Sequence, residues 1–275
     1  MQTCVFSKNF QDLDAPALAR VISGFGVTGV DLTVRGGGHV EPAKVREDLP
    51  RFRDALGEKG LKITMFTTEI TGVATPHARE VIEAAARAGV KFIKLGYWWL
   101  KGWGHLAEQE AEVRKALAGL EPVLLELGVT AGYHTHSGDC VGPNAGHVFR
   151  LVEDRNPKAF GVYYDIGHCT LEGGLSAWKL DLERAAERVV MVAVKNMSWV
   201  RNEPGKGRAW TWRVVPLPDG LADIPAFVKL LKGMKFAGPL SFHSEYQGEW
   251  SFRDLKGEEL MDQTRKDIDW FKKLP

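Results

Sequence analysis

Val189-Val190-Met191-Val192-Ala193-Val194 is a run with no polar side chain on either face. A strand at a sheet surface alternates apolar and polar residues. One that is apolar on both faces is buried on both, as a parallel strand covered by helices must be. The run is short, β-branched and bounded by Arg188 and Lys195, so it reads as a strand rather than a buried helix. Upstream of it, residues 177–188 carry a helical pattern, and further upstream residues 161–165 form another short strand candidate.

This alternation extends over the whole chain. Strand candidates fall at residues 4–7, 29–33, 63–67, 92–96, 130–134, 161–165, 189–194 and 239–243. Helical patterns fill residues 15–23, 41–59, 76–88, 106–127, 145–153, 177–188, 224–232 and 258–273. Gly26, Gly60, Gly89 and Gly128 follow helices where a left-handed cap residue is needed. Eight strand–helix units in 275 residues average about 34 residues each, the span of a barrel unit. The expected fold is α/β, a (β/α)8 TIM barrel, one domain over residues 1–275. A doubly wound open sheet is the competing architecture. It usually carries a Gly-rich phosphate loop after its first strand, and here that strand ends Ser7-Lys8-Asn9.

Composition narrows the function. Lys plus Arg is 36 and Asp plus Glu is 35, so the net charge is +1. No basic excess points to a nucleic-acid backbone as partner. Three cysteines make no disulfide framework. No run of 18 apolar residues suggests a membrane span, and the beginning Met1-Gln2-Thr3-Cys4 shows no signal-peptide pattern. A cytoplasmic protein, without membrane or nucleic-acid partner and assembled as a homodimer or homotetramer, is the expectation.

In such barrels the site forms at the C-terminal strand ends. Those ends carry Lys8, then Asp31 and Arg35, Glu69, Tyr97 and Trp98, His134 and His136, Asp165 and His168, Lys195 and Asn196, and finally His243 and Glu245. His-x-His, Asp-x-x-His and His-x-Glu on three of the last four strands exceed what chance placement gives. Residues i and i+2 share a strand face, so His134 and His136 point one way, as do His243 and Glu245. Imidazoles and carboxylates converging in a small volume suit metal binding and proton transfer. Individually, Asp165 could cap the next helix, His168 could sit satisfied in a loop, and Lys195 could be a surface charge.

Nine tryptophans give a second signal. Trp98, Trp99 and Trp103 follow the fourth strand, Trp199, Trp210 and Trp212 the seventh, and Trp250 the eighth. Indole faces suit the C–H face of a sugar ring. Their competing role is to pack long loops. The segment 196–219 reads as a long loop of the kind that forms lids.

The stretches Gly132-Tyr133-His134-Thr135-His136-Ser137-Gly138, Tyr164-Asp165-Ile166-Gly167-His168, Val192-Ala193-Val194-Lys195-Asn196 and Gly238-Pro239-Leu240-Ser241-Phe242-His243-Ser244-Glu245-Tyr246 resemble the sugar phosphate isomerase/epimerase superfamily, the xylose isomerase-like barrels. The resemblance covers nearly the whole chain. It implies a divalent ion held by Glu, Asp, His and Glu on strands five to eight. Carried over, the strand-six Asp matches Asp165, the His three residues on matches His168, and His136 matches a further polar position. The other ligand positions differ. They hold His134, Ala193 and His243, with Glu245 two residues beyond.

The resemblance therefore implies a sugar or keto-sugar isomerase or epimerase that removes the proton α to a carbonyl through an enediolate. In this reading His134 or His243 acts as the base, and both, with Asp165, are ligands for Mn, Zn or Fe. Glu245 is a second acid/base and Lys195 stabilises the oxyanion. His136, His168, Glu69, Trp98, Trp103 and Trp199 contact the carbohydrate. In the metal-free alternative Lys195 alone polarises the carbonyl. Further alternatives are a sugar-binding barrel without catalysis and a lyase that eliminates from keto-glycosides. A nuclease of the endonuclease IV type is disfavoured, because Pro216-Leu217-Pro218-Asp219 lacks the Asp-x-His pair expected there.

Overall fold

A computed structural model describes residues 1–205 and 207–275. Eight parallel strands close into a barrel. They are β1 (Gln2–Phe6), β2 (Gly29–Thr33), β3 (Lys62–Thr67), β4 (Phe92–Lys94), β5 (Thr130–His134), β6 (Phe160–Asp165), β7 (Val189–Val194) and, after a hairpin of β8 (Asn196–Arg201) and β9 (Trp210–Val215), β10 (Pro239–Phe242). The order around the barrel follows the chain, with β10 pairing β7 on one side and β1 on the other. Helices α1 (Ala15–Ser23), α2 (Val45–Glu58), α3 (Ala78–Arg87), α4 (Leu106–Leu127), α5 (Ala145–Val152), α6 (Ile166–Ala185), α7 (Ile224–Gly233) and α8 (Gly257–Lys272) pack outside. The TIM barrel expected from the strand–helix alternation is the fold observed.

Local signals explain the element ends. Asp14 caps α1 by accepting from Ala17 N at 2.9 Å, Asn144 caps α5 from His147 N, and Asp223 caps α7 from Ala226 N. Gly128 ends α4 at φ 66°, a left-handed cap. Among the described residues, no helix is long and apolar enough to cross a membrane.

Strand alternation divides the core in two. Outward residues such as Val30, Leu32, Ile93, Val162 and Val192 pack under the helices. Inward residues Cys4, Met65, Tyr163, Met191 and Ala193 fill the barrel interior. Burying a side chain the size of Leu32 or Met65 contributes about 1.5–3 kcal/mol. Gly132 on β5 gives its space to the interior, since a Cβ there would stand 1.9 Å from Met191 Cε and that side chain would have to move. The three cysteines are free and buried, packed as small apolar groups.

Two expectations are corrected. α6 starts at Ile166, directly after β6, not at 177. Backbone that is non-helical at Gly174 (φ 65°, ψ −159°) divides α6 into two helices, so the helix expected at 177–188 falls in the second, and the first, capped by Asp165, is the one the sequence pattern does not show. The segment after β7 is not a plain loop. It forms the antiparallel hairpin β8–β9, with Trp199 opposite Trp212 and Arg201 opposite Trp210.

Candidate active site

The barrel's upper interior is polar because the inward series of four neighbouring strands ends on an ionisable group. On β5 and β6 these are the terminal His134 and Asp165. On β7 the inward series Met191, Ala193 continues to Lys195, and on β10 Ser241 continues to His243. Period two places all four over the mouth. Tight turns then swing Glu245 back, its N–H donating to His243 O at 2.9 Å. All but Glu245 are 5% exposed or less.

A continuous polar chain crosses the mouth. Lys8 Nζ lies 2.9 Å from Glu245 Oε1. Lys195 Nζ lies 2.7 Å from Glu245 Oε2 and 3.2 Å from Asp165 Oδ2. Asp165 Oδ2 stands 3.3 Å from His134 Nε2, and His134 Nδ1 stands 2.9 Å from the Tyr97 hydroxyl. Asp165 also caps α6, where Oδ1 accepts from His168 N at 3.1 Å. Capping and site roles therefore fall to one carboxylate. Gly167 leaves room for this arrangement, since a Cβ there would meet Lys195 Cγ and O at 2.9 Å.

The charges are set by this chain. Burial alone disfavours the Lys195 ammonium, but Asp165 and Glu245 outweigh it and raise its pKa. Burial likewise opposes ionisation of Glu245, yet Lys195 and Lys8 hold its carboxyl well below the usual range. The histidines behave oppositely. Burial, aided by neighbouring lysines, lowers His134 well below its ordinary value, His136 to about 4 and His243 to about 3. Burial also lowers His168, helped by Lys195.

Partners assign two tautomers. The Ser137 N–H donates to His168 Nδ1 at 3.2 Å, so the His168 proton sits on Nε2, which has no hydrogen-bond partner among the described residues. Asp165 accepts from His134 Nε2, so Nδ1 carries the lone pair and Tyr97 donates to it. Asp165, His134 and Tyr97 thus form a relay that ends on a phenol. His243 Nε2 pairs with the Tyr163 hydroxyl at 3.0 Å. Beneath it Asp31, 3.8 Å away, accepts from Thr67 and Ser241. Burial pushes the Asp31 carboxyl up to about 6.

The central cavity measures about 90 Å³. His134, His136, Lys195, His243 and Glu245 line it, together with Lys94 and Tyr97. His168 packs on His136, ring centroids 4.2 Å apart. The other expected contacts lie elsewhere. Glu69 and Trp98 line a neighbouring cavity of about 770 Å³ over β3 and β4, with Trp98 stacked on Tyr133. Trp199 lines a third, of about 540 Å³, beneath the hairpin, with Trp210, Trp212 and Trp250. Trp103 is fully exposed and lines none of the three. Of the other residues lining the central cavity, Phe6, Thr67, Lys94 and Tyr163 are not singled out by the sequence, and Lys8, Arg35 and Tyr97 are named there at strand ends without a role. Lys94 carried a signal, an ionisable residue in the otherwise apolar strand Phe92-Ile93-Lys94-Leu95.

The expected metal ligands do not fit a divalent ion in this arrangement. Donors sharing one ion must all stand about 2–2.5 Å from a single point. Lys195 Nζ instead lies between Asp165 and Glu245, where it supplies a fixed positive charge. His243 turns Nε2 to Tyr163 and Asp31 rather than to Asp165. Among the described residues, no three His, Cys, Asp or Glu side chains are placed to share an ion.

A closed parallel barrel with a charged mouth of this kind defines a class, and the sequence pattern assigns it. Residues 19–274 match the family described as xylose isomerase-like TIM barrel, and the chain belongs to that family. Solved structures agree in fold at low identity. The apo 3-keto-D-glucoside 4-epimerase YcjR from E. coli superposes with a TM-score of 0.72 at 14% identity, covering 99% of both chains. The probable 3-DHS dehydratase AsbF from Bacillus anthracis gives 0.73 at 12% identity over 100% of both. A xylose isomerase-like barrel from Mycobacterium smegmatis, solved in complex with magnesium, gives 0.69 at 15%, covering 96% of this chain and 90% of that one.

Proposed function

We propose that this protein is a sugar or keto-sugar isomerase or epimerase that moves a proton at the carbon α to a carbonyl. The observation that carries the reading is the buried Lys195 ammonium, held by Asp165 and Glu245 beside a cavity lined by neutral imidazoles. A ketone oxygen in that cavity meets a preorganised cation, which favours the negative charge that develops as the α proton leaves.

His243 and His134 enter as neutral imidazoles, the form that accepts a proton, but burial weakens both as bases, so an abstracted proton must pass on rather than rest on them. The relay can take up a proton at the Tyr97 hydroxyl as Tyr97 passes its own to His134 Nδ1 and His134 Nε2 passes its own to Asp165, and the reverse shift returns it. Glu245 is occupied by two lysines and serves as the anchor of Lys195 rather than as an acid. This assignment needs no metal, because the lysine provides the charge. The exposed indoles around the mouth support a carbohydrate as substrate.

The test is solvent exchange. Wild-type protein is incubated with a panel of keto-sugars in D2O and followed by proton NMR. Deuterium is expected at a carbon next to the carbonyl, with loss in Lys195→Met and His243→Ala. Tight sugar binding with no exchange would leave a carbohydrate-binding barrel instead. Release of a leaving group would mark elimination.

A further inference from the structure

Lys94 ends β4 and is 2% exposed. Inward alternation on β4 carries its side chain to the central cavity, which it lines together with Lys195, His134 and His243. Its amine contrasts with that of Lys195. Lys195 is bound by two carboxylates. Among the described residues, Lys94 Nζ has no carboxylate in salt-bridge range and no hydrogen-bond acceptor. It lies 3.4 Å from the centroid of the Tyr97 ring, over its face. A neutral amine can also make that contact through N–H. Arg35, on the same cavity wall, and Lys195 disfavour a further positive charge there, and Asp31 only partly offsets them. Burial first, then Arg35, holds the Lys94 amine well below the ordinary lysine range. A desolvated lysine beside other cations is the environment that yields a nucleophilic amine at neutral pH.

We propose that Lys94 is a covalent site that captures the carbonyl carbon of a small ketone or ketose as an iminium. The Nζ lone pair forms the C–N bond as the carbonyl π pair moves onto oxygen. Nitrogen gives up one proton and oxygen gains one, which makes a carbinolamine. A second proton, supplied from solvent, lets the hydroxyl leave as water while the nitrogen pair closes the C=N bond. The nitrogen keeps its remaining proton and carries the positive charge. Amine, carbonyl and one proton give iminium and water, with no oxidant or reductant. The iminium acidifies the adjacent C–H, so the step deepens the proposed function. Only the choice of a ketose rests on that reading.

The experiment traps the adduct. Full-length protein is mixed with dihydroxyacetone, a ketone small enough for the cavity, and sodium cyanoborohydride. It is then analysed by intact mass and peptide mapping. One reduced adduct on Lys94 is expected, lost in Lys94→Met, a substitution of similar length that removes only the amine. No adduct on Lys94, or equal labelling of surface lysines in both proteins, overturns the proposal. If Lys94→Met does not fold, the wild-type peptide map alone decides. Deuterium exchange without an adduct sinks the Lys94 site and leaves the proposed function standing. An adduct without exchange of any keto-sugar does the reverse.

Discussion

Lys195 Nζ stands 2.7 Å from Glu245 Oε2, a contact that joins the end of one barrel strand to the turn after the next. Asp165, 3.2 Å from the same nitrogen on its other side, completes a carboxylate–ammonium–carboxylate bridge over the mouth. A buried charge is tolerated only when paired, and here one cation holds two anions. Removing the cation should therefore expose both carboxylates to each other's repulsion.

Lys195→Ala is expected to lose about 3–5 kcal/mol of stability, the usual cost of stripping one partner from a buried pair. The gap it leaves between Asp165 and Glu245 suits a divalent cation. Millimolar MnCl2 should raise the unfolding midpoint of Lys195→Ala and leave the wild type unmoved. Denaturant melts with and without the salt read this directly. Equal stabilisation of both proteins would show that the ammonium does not stand in for a metal.

Tyr97→Phe keeps the ring under Lys94 and removes only the hydroxyl that donates to His134 Nδ1. If the relay returns the proton, deuterium exchange into a responsive keto-sugar should fall roughly 10²–10⁴-fold, the range for a positioned acid or base. Stability should change by only about 0.5–1.5 kcal/mol, the net worth of one hydrogen bond. Undiminished exchange would remove Tyr97 from the relay.

How much the sequence discloses depends on whether a feature is local. Val189–Val194 is legible because its environment is uniform on both faces. Asp165 and His168 are legible because i to i+3 spacing at a strand end is also the spacing of a cap and its helix. The hairpin is not, because its exposed Trp199, Trp210 and Arg201 blur the polar–apolar alternation that marks a strand. Lys94 stands out in its apolar strand, but the side it faces is not legible, for a different reason. A lysine in a strand reads as solvent-facing, but near a barrel mouth the inward face is also polar. The Tyr97–His134 contact joins two neighbouring strands, and no spacing rule within one segment reports it. Glu245 is found in sequence, but its anchoring by Lys8 and Lys195, which changes its role, is visible only in three dimensions.

Acid should destabilise the protein earlier than its carboxylates alone would dictate. His39, His134, His136, His147, His168 and His243 are all held below 6.5, chiefly by burial. Below about pH 6.5 the unfolded chain takes up protons that the folded protein refuses, so stability falls with pH. For His136 and His243 the loss continues to about 4 and about 3. Asp31 and Asp267, both raised to about 6, act in the opposite sense, since the fold takes up their protons first. Asp181, also raised, joins them. Six histidines outweigh three carboxylates. The melting temperature should drop steadily from about pH 6.5 to 4.5 in a calorimetric series. A flat profile over that window would mean that the imidazoles are not desolvated as the geometry implies.

The tryptophans should divide by position. Trp103 is fully exposed, so Trp103→Ala should change stability by less than about 0.5 kcal/mol and leave binding intact. Trp199 stands beside the stacked pair Trp212 and Trp250, 5.1 Å apart, on the cavity beneath the hairpin. That cavity is distinct from the central one, so its indoles would meet a substituent on the sugar rather than the reacting ring. Trp199→Ala should thus weaken a phenyl glycoside by about 0.5–1.5 kcal/mol, the value of one aromatic contact, and leave the parent monosaccharide unaffected. Titration of intrinsic fluorescence with the two ligands separates the cases. Equal weakening of both would place Trp199 against the reacting ring, whereas no weakening of either would make the hairpin indoles packing alone.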